Sequence, residues 1–236
     1  MKKGIVYLIP CPIGENPPEL VLPKHTLEVV QTLENFIVEN EKTSRRFLRA
    51  SNHPKPIREL AFETLNKHTN EKDIVNYIEP LSEGKSIGVI SEAGCPGVAD
   101  PGAKVVAYAH KKGYQVIPLI GPSSILMALM GSGFNGQSFS FVGYLPKDKK
   151  ELKNKIKDLE ILSKKYNQTQ IFIETPFRNI QMLENLKAFC NPSTKISIAA
   201  NINQKNELIK TMTISKLQPS NFNIHKIPAV FSLMVE

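Results

Sequence analysis

Apolar positions along the chain change their period repeatedly, and the changes mark out alternating strands and helices. Ile5-Val6-Tyr7-Leu8-Ile9 is a short apolar run that stops at a proline-rich loop, the pattern of a central strand. Over residues 23–33, Leu27, Val30 and Leu33 recur at helical spacing. Phe36-Ile37-Val38 forms a second short strand, followed by a basic helix around residues 44–50. Ile74, Tyr77, Ile78 and Leu81 follow the i, i+3, i+4, i+7 rule, which predicts an amphipathic helix over 71–81 stopped by Gly84. Residues 86–90 read as strand, 102–112 as a helix ended by Gly113, and 115–120 as strand. Such alternation predicts an α/β fold with a mostly parallel sheet.

The pattern changes after Gly121-Pro122-Ser123-Ser124, which opens a helix of small and apolar residues over 125–131. The domain boundary is placed there, giving an N-terminal α/β domain over 1–120 and a C-terminal domain over 121–236. In the second half, 139–144 is a strand and Leu152, Ile156 and Leu159 mark a long helix ending near Tyr166. A strand at 170–173 and a helix carrying Ile180, Leu183 and Leu186 follow. Residues 195–199, 209–214 and 229–235 then give three strands with no helix between them. Strand after strand favours antiparallel pairing, hence a mixed α+β domain.

At 236 residues the chain is long enough for a substantial core, and 41% hydrophobic against 22% charged residues is ordinary for a globular protein. No apolar run approaches the roughly 18 residues of a membrane span. Met1-Lys2-Lys3-Gly4 precedes an apolar stretch broken by Pro10 and Pro12, so the start reads as a buried strand and not as a signal peptide. A cytoplasmic location is expected. Three widely spaced cysteines (Cys11, Cys95, Cys190), no C-x-x-C and five scattered histidines point to reduced thiols and no metal site.

The net charge of +8 favours polyanionic partners, and its distribution narrows the surface. Lys42, Arg45, Arg46, Arg49, Lys55 and Arg58 occur within 17 residues that contain no acid, a candidate phosphate-contacting surface. The lysines of 147–165 are interleaved with Asp148, Glu151, Asp158 and Glu160, the pattern of a solvated helix face with i,i+4 ion pairs.

Three loops following strands share one composition: Pro10-Cys11-Pro12-Ile13-Gly14, the run from Ser91 through Gly94, Cys95 and Gly97 to Asp100-Pro101-Gly102, and Gly121-Pro122-Ser123-Ser124. Glycine lets backbone approach closely and proline stiffens a loop in advance, so such turns offer backbone donors and acceptors with few side chains in the way. In an open α/β sheet, ligands bind at the carboxyl ends of strands, where these loops belong. No G-x-x-x-x-G-K-[ST] phosphate loop occurs, and no G-x-G-x-x-G follows the first strand, which argues against an ordinary dinucleotide fold.

The segments PCPIG, SEAGCPGVADPG, IGPSS, FVGYLP and ETPFR, in this order over most of the chain, resemble the tetrapyrrole-methylase superfamily. Within it, they are most similar to the small-subunit ribosomal RNA cytidine 2′-O-methyltransferase family. The resemblance implies a homodimer of two-domain subunits with S-adenosylmethionine in the cleft between domains. It implies cofactor contacts at Pro12, Ile13, Glu92, Ala93, Gly94, Cys95, Asp100, Ser123, Ser124, Ile125, Leu145 and Thr175, and ribosomal RNA as the acceptor. Glu39, Glu41, Arg45, Arg46, Glu174 and Arg178 are the polar residues expected at the cleft mouth, with no general base assigned among them. Glu174 and Arg178, four apart, also suit a surface salt bridge.

The chain departs from the family pattern at three places. Glu92 stands where the family has Asp, Asn40 where it has an acid, and Ala200, Asn201, Asn203 and Gln204 where it has mostly charged or donor residues. Two other functions stay open on the sequence: methylation of a tetrapyrrole or another small molecule, and a non-catalytic cofactor- or RNA-binding module.

Overall fold

The computed structural model describes residues 3–66 and 68–236; Met1 and Lys2, part of the start read above as a buried strand, lie outside the described residues, as does Lys67. The chain divides into two compact units, 1–123 and 124–236.

The first unit carries β1 (Ile5–Ile9), α1 (Pro18–Val21), α2 (Lys24–Thr32), β2 (Asn35–Val38), α3 (Glu41–Ala50), β3 (Ala61–Thr64), α4 (Glu71–Tyr77), β4 (Ile87–Ile90), α5 (Ala103–Lys111) and β5 (Gln115–Pro118). Its five strands lie in the order β3-β2-β4-β1-β5, and every pair is parallel. β4 is buried at all four positions, as a parallel strand covered on both faces must be. Ile87 and Val89 pack with Ile74 of α4, Ile78 just beyond its end, and Val105 and Ala109 of α5. Ile90 turns the other way, into a cluster with Val30 of α2 and Phe47 and Leu48 of α3.

Two local readings of the sequence are corrected here. The helix expected over 71–81 ends at Tyr77, because Pro80 supplies no amide hydrogen to continue it. Leu81, the last residue of the apolar stripe, is instead buried by a 3₁₀ turn over Glu79–Glu83, which Gly84 closes in the left-handed conformation. β3 was not foreseen. It is a four-residue edge strand, mostly exposed, and a strand that buries so little leaves no hydrophobic alternation to read.

The second unit carries α6 (Ser124–Ser132), β6 (Phe139–Tyr144), α7 (Lys149–Tyr166), β7 (Thr169–Ile173), α8 (Asn179–Phe189), β8 (Lys195–Ala200), β9 (Leu208–Thr213) and β10 (Ala229–Met234). The sheet order is β6-β7-β10-β8-β9; β6 and β7 are parallel and the other three pairs antiparallel. α6 covers one face, with Ile125, Ala128 and Leu129 against Ile171, Ala199 and Val230. α7 and α8 cover the other over the stacked rings of Phe172 and Phe231, 5.6 Å apart. The i,i+4 ion pairs expected on α7 are not formed among the described residues. Glu160 instead reaches off the helix and accepts from the amide of Asn191 (2.7 Å) and the hydroxyl of Thr194.

The neutral stretch after β8 has a conformational explanation. Asn201 and Asn203 both adopt left-handed backbone, with φ of 54° and 62°, and asparagine tolerates that conformation better than most residues with a Cβ. Asn40 is likewise explained locally. Its side chain accepts from the amides of Lys42 (3.0 Å) and Thr43 (3.4 Å) and so caps the N-terminus of α3, a task that Asn and Asp perform about equally. Asn40→Ala is therefore expected to lower stability by about 1 kcal/mol and Asn40→Asp to leave it nearly unchanged. Urea unfolding with an unchanged m-value for both variants checks the pair.

Candidate active site

The strand order decides where the three loops go. β4, β1 and β5 are parallel neighbours, so the loops that leave their carboxyl ends emerge side by side. Backbone then joins the first two: the amide of Cys11 donates to the carbonyl of Gly94 (2.9 Å), and the amide of Gly94 to the carbonyl of Cys11 (3.1 Å). The third loop joins through side chains, with the Cys95 thiol 3.3 Å from the carbonyl of Pro122. Gly121 lies so close to Pro10 that an added Cβ would stand 2.2 Å from its ring, a separation no real Cβ tolerates.

Within the second loop, polar groups are spent on holding its shape. The hydroxyl of Ser91 donates to the carbonyl of Gly94 (2.9 Å), and Gly94 has a φ of 70° that favours glycine. The Asp100 carboxylate accepts from the amides of Gly97 (2.5 Å) and Gly102 (2.9 Å). Burial raises the Asp100 carboxyl above the usual carboxylate range, and those two amides oppose the rise. Asp100 thus organises the turn, and a ligand would meet the backbone it shapes.

Glu92 is held from α3, since the hydroxyl of Thr43 donates to its carboxylate. Glu39, at the end of β2, accepts from the backbone amide of Glu92. Burial first, then the charges of Asp100 and Glu92, raise the Glu39 carboxyl. Burial is also the main cause that pushes up the thiols of Cys11, Cys95 and Cys190, aided in turn by Glu92, Asp100 and Glu160. None of the three has the lowered pKa of a nucleophilic thiol. All are free, and among the described residues no group of three or more His, Cys, Asp or Glu side chains could hold a metal ion.

A cavity of about 760 Å³ opens between these loops and α3. Cys11, Pro12, Ser91 and Glu92 line one side, the segment 14–19 another, and Thr43, Arg46 and Phe47 the third. Arg46 thus lies on the wall. Arg45, its neighbour in sequence, does not line it. The Arg45 guanidinium grips Glu41 at 2.7 Å, donates to the carbonyl of Ile57 (3.0 Å) and lies over the ring of Phe62 at 4.4 Å. The pair that the sequence treats as equivalent is split into a structural brace and a cavity residue.

The sequence reading also missed Thr43, which positions Glu92, and the 14–19 wall. The proline pair of that wall looks like a plain turn in sequence. Thr43 and Glu92 are 49 residues apart and meet only because β2 and β4 are neighbours.

In the second unit, Ser124 opens α6, while the side chains of Ile125 and Leu145 are buried in its cores and leave only backbone for a ligand. Thr175 donates to one oxygen of Glu174 from its amide (2.7 Å) and hydroxyl (3.3 Å). The other oxygen lies 3.2 Å from Arg178. The ion pair allowed by the sequence therefore forms, but it is not a surface one: the Glu174 side chain is only 2% exposed. A carboxylate so buried is costly unless paired, so Arg178 is needed there for structure whatever else it does.

Residues 19–218 match the model of the Tetrapyrrole (Corrin/Porphyrin) Methylases. The chain belongs to that family. A Ribosomal RNA small subunit methyltransferase I of Vibrio cholerae is 30% identical over 213 residues, 90% of this chain and 70% of the relative. One of Bacillus subtilis is 32% identical over 236 residues, 99% of this chain and 75% of that one. Among solved structures, the methyltransferase CobJ superposes with a TM-score of 0.64 at 15% identity, covering 99% of this chain and 94% of its own. The uroporphyrin-III C-methyltransferase of Thermus thermophilus complexed with S-adenosylhomocysteine gives 0.57 at 15% identity, covering 98% and 97%. These two likenesses establish the two-domain methylase fold; the family establishes a methyltransferase.

Arg45→Gln removes an i,i+4 pair, a carbonyl hydrogen bond and a ring contact together. The expected cost is about 1–2 kcal/mol, mostly from the last two. A lowered melting temperature with unchanged cofactor-product affinity, measured by calorimetry, is the expected result; an unchanged melting temperature would show that the brace carries no weight.

Proposed function

We propose that this protein transfers a methyl group from S-adenosylmethionine to a ribose 2′-hydroxyl of small-subunit ribosomal RNA, acting as a cytoplasmic homodimer that needs no metal. The observation that supports it best is the joining of three side-chain-poor loops at the carboxyl ends of β4, β1 and β5, beside a cavity with Arg46 on its wall. The names of the Vibrio and Bacillus relatives point to the same acceptor class.

The residues present suit the cofactor. Loops knit by their own backbone offer few side chains to obstruct an adenosyl group, and Gly121 lets the third loop lie directly against Pro10 of the first. Pro12, Ile13 and the 92–95 segment would hold it from the first unit, together with Ser123. Ser124, Ile125, Leu145 and Thr175 are the further contacts that the family resemblance implies. Bound S-adenosylmethionine supplies an activated methyl group on a sulfonium, which needs no metal to leave.

What the protein must then do is align the acceptor hydroxyl with that methyl and keep water away. Held there, S-adenosylmethionine would give up its methyl group to the hydroxyl oxygen and leave as S-adenosylhomocysteine, with the hydroxyl proton released. Arg46 is placed to fix the nucleotide by a phosphate, a task for which a guanidinium fork is well shaped. Glu92, held by Thr43, lines the same cavity.

Incubation with labelled S-adenosylmethionine and small ribosomal subunits from a strain lacking the gene should place label on a ribose oxygen of the RNA. Label on a base, or transfer only to a free tetrapyrrole, overturns the acceptor assignment. Gly121→Ala tests the loops: its Cβ would collide with Pro10, so binding of S-adenosylhomocysteine should weaken at least about tenfold, roughly 1.4 kcal/mol. Gly136→Ala, where nothing lies within 4 Å of the added atom, should bind as the wild type does.

A further inference from the structure

The acid-free run from Lys42 to Arg58 holds six cations, and the structure divides them into two sets. Arg45 is occupied by Glu41, the carbonyl of Ile57 and the ring of Phe62. Lys55 pairs with Glu34 at 2.5 Å, and Arg58 lies 3.9 Å from Glu59. The side chains of Lys42, Arg46 and Arg49 have no hydrogen bond or ion pair among the described residues, and all three are exposed. Their spacing is i, i+4 and i+7, so they stand in a row along one face of α3, spanning about 10 Å at 1.5 Å per residue.

The row connects two concavities. Arg46 lines the cavity beside the cofactor loops. Arg49 lines a shallow, open groove of about 690 Å³ that continues through His53, Lys55 and Arg58. Lys42 lies at the other end of α3, one turn beyond Arg46. The helix that carries the row is firmly held, capped by Asn40, braced by Arg45 and anchored by the buried side chains of Phe47 and Leu48.

We propose that this face of α3 is a rail for a single RNA strand, with Lys42, Arg46 and Arg49 each taking a backbone phosphate as the strand runs from the groove at 49–58 across the mouth of the cavity. The proposal rests on the RNA reading of the acceptor and goes beyond it by naming the path and the contacts. Phosphate on both sides of the cavity mouth would leave one nucleotide, the one at Arg46, free to turn inward. The unpaired state of the three cations fits this use, because a pair that had to be broken first would give back much of what the phosphate supplies. Two of the three are arginines, whose planar fork matches phosphate oxygens. A row of three along about 10 Å also suits a polymer with regularly spaced charges better than a lone anion.

The test uses the full chain with S-adenosylhomocysteine present, a 15-nucleotide single-stranded RNA and a polyglutamate of matched charge, with affinities followed by anisotropy as potassium chloride is varied. Each of Lys42→Gln, Arg46→Gln and Arg49→Gln should reduce the slope of log affinity against log salt by about 0.7, the value for one single-strand phosphate contact. The triple variant should lose about 2. Lys153→Gln, on α7, should leave the slope as it is. Calorimetric binding of S-adenosylhomocysteine should be unchanged throughout, which excludes misfolding as the cause. A steep wild-type slope that none of the three substitutions alters overturns the rail and leaves the acceptor reading standing. A wild type that binds no RNA overturns both, and equal affinity for polyglutamate shows a protein-docking face instead.

Discussion

The whole site depends on one short backbone exchange, the reciprocal hydrogen bonds between Cys11 and Gly94. Two loops that leave adjacent parallel strands would ordinarily diverge toward their own helices. Here the pair of bonds forms an isolated antiparallel bridge that turns one loop back along the other. The exchange requires Gly94 in a left-handed conformation and brings Cys95 within reach of the Pro122 carbonyl in the third loop. It is possible only because the sheet places β4 and β5 on either side of β1. Sheet order, one glycine and two hydrogen bonds therefore set the positions of all three loops.

Much of this was legible in the sequence, for identifiable reasons. Strands buried on both faces are continuous apolar runs, and β1 and β4 read as such. Pro-Gly loops after them signalled turns that offer backbone to a ligand, while the backbone bonds that join the loops to one another were not foreseen. The lack of a phosphate-loop motif, and of a dinucleotide turn after β1, narrowed the ligand. What stayed hidden is whatever depends on a partner distant in the chain. The equivalence assumed for Arg45 and Arg46 fails because Phe62 belongs to β3, an edge strand with no hydrophobic signature, and Ile57 to an irregular segment. Similarly, the burial of Glu174 beside Arg178 cannot be inferred from their spacing, since i,i+4 pairs are mostly exposed.

The departures from the family pattern look different once their backbone is known. Loss of charge at Asn40 costs α3 nothing, because the residue is there as a cap and asparagine is a full substitute. At Asn201 and Asn203, neutral residues occupy two left-handed positions of one tight turn, where the amide of Asn201 donates to the carbonyl of Pro228 (2.9 Å). These are conformational choices, and they weaken the case for a protein that has kept the fold and lost the chemistry. The extra methylene of Glu92 is of another kind. It lets the carboxylate reach Thr43 across from β4 to α3, so the longer acid is accommodated by a bond to a neighbouring element.

Charge is sorted within the first unit in a way that serves both partners of a methyl transfer to a polyanion. Glu39, Glu92 and Asp100 gather where β2 and β4 end, close enough to raise the Glu39 carboxyl, while Lys42, Arg46 and Arg49 face outward along α3. A phosphodiester strand approaching three carboxylates directly would be repelled, and at about 0.15 M salt that repulsion reaches only about 8 Å. Arg46 and Glu92 line the same cavity, so the cation there offsets that repulsion. α3 is therefore both the wall that holds Glu92 through Thr43 and the face along which Lys42, Arg46 and Arg49 stand. That double duty explains why a helix so short is tied down by a cap, a brace and two buried apolar residues: a rotation of it would break the Thr43–Glu92 bond and displace the cations together.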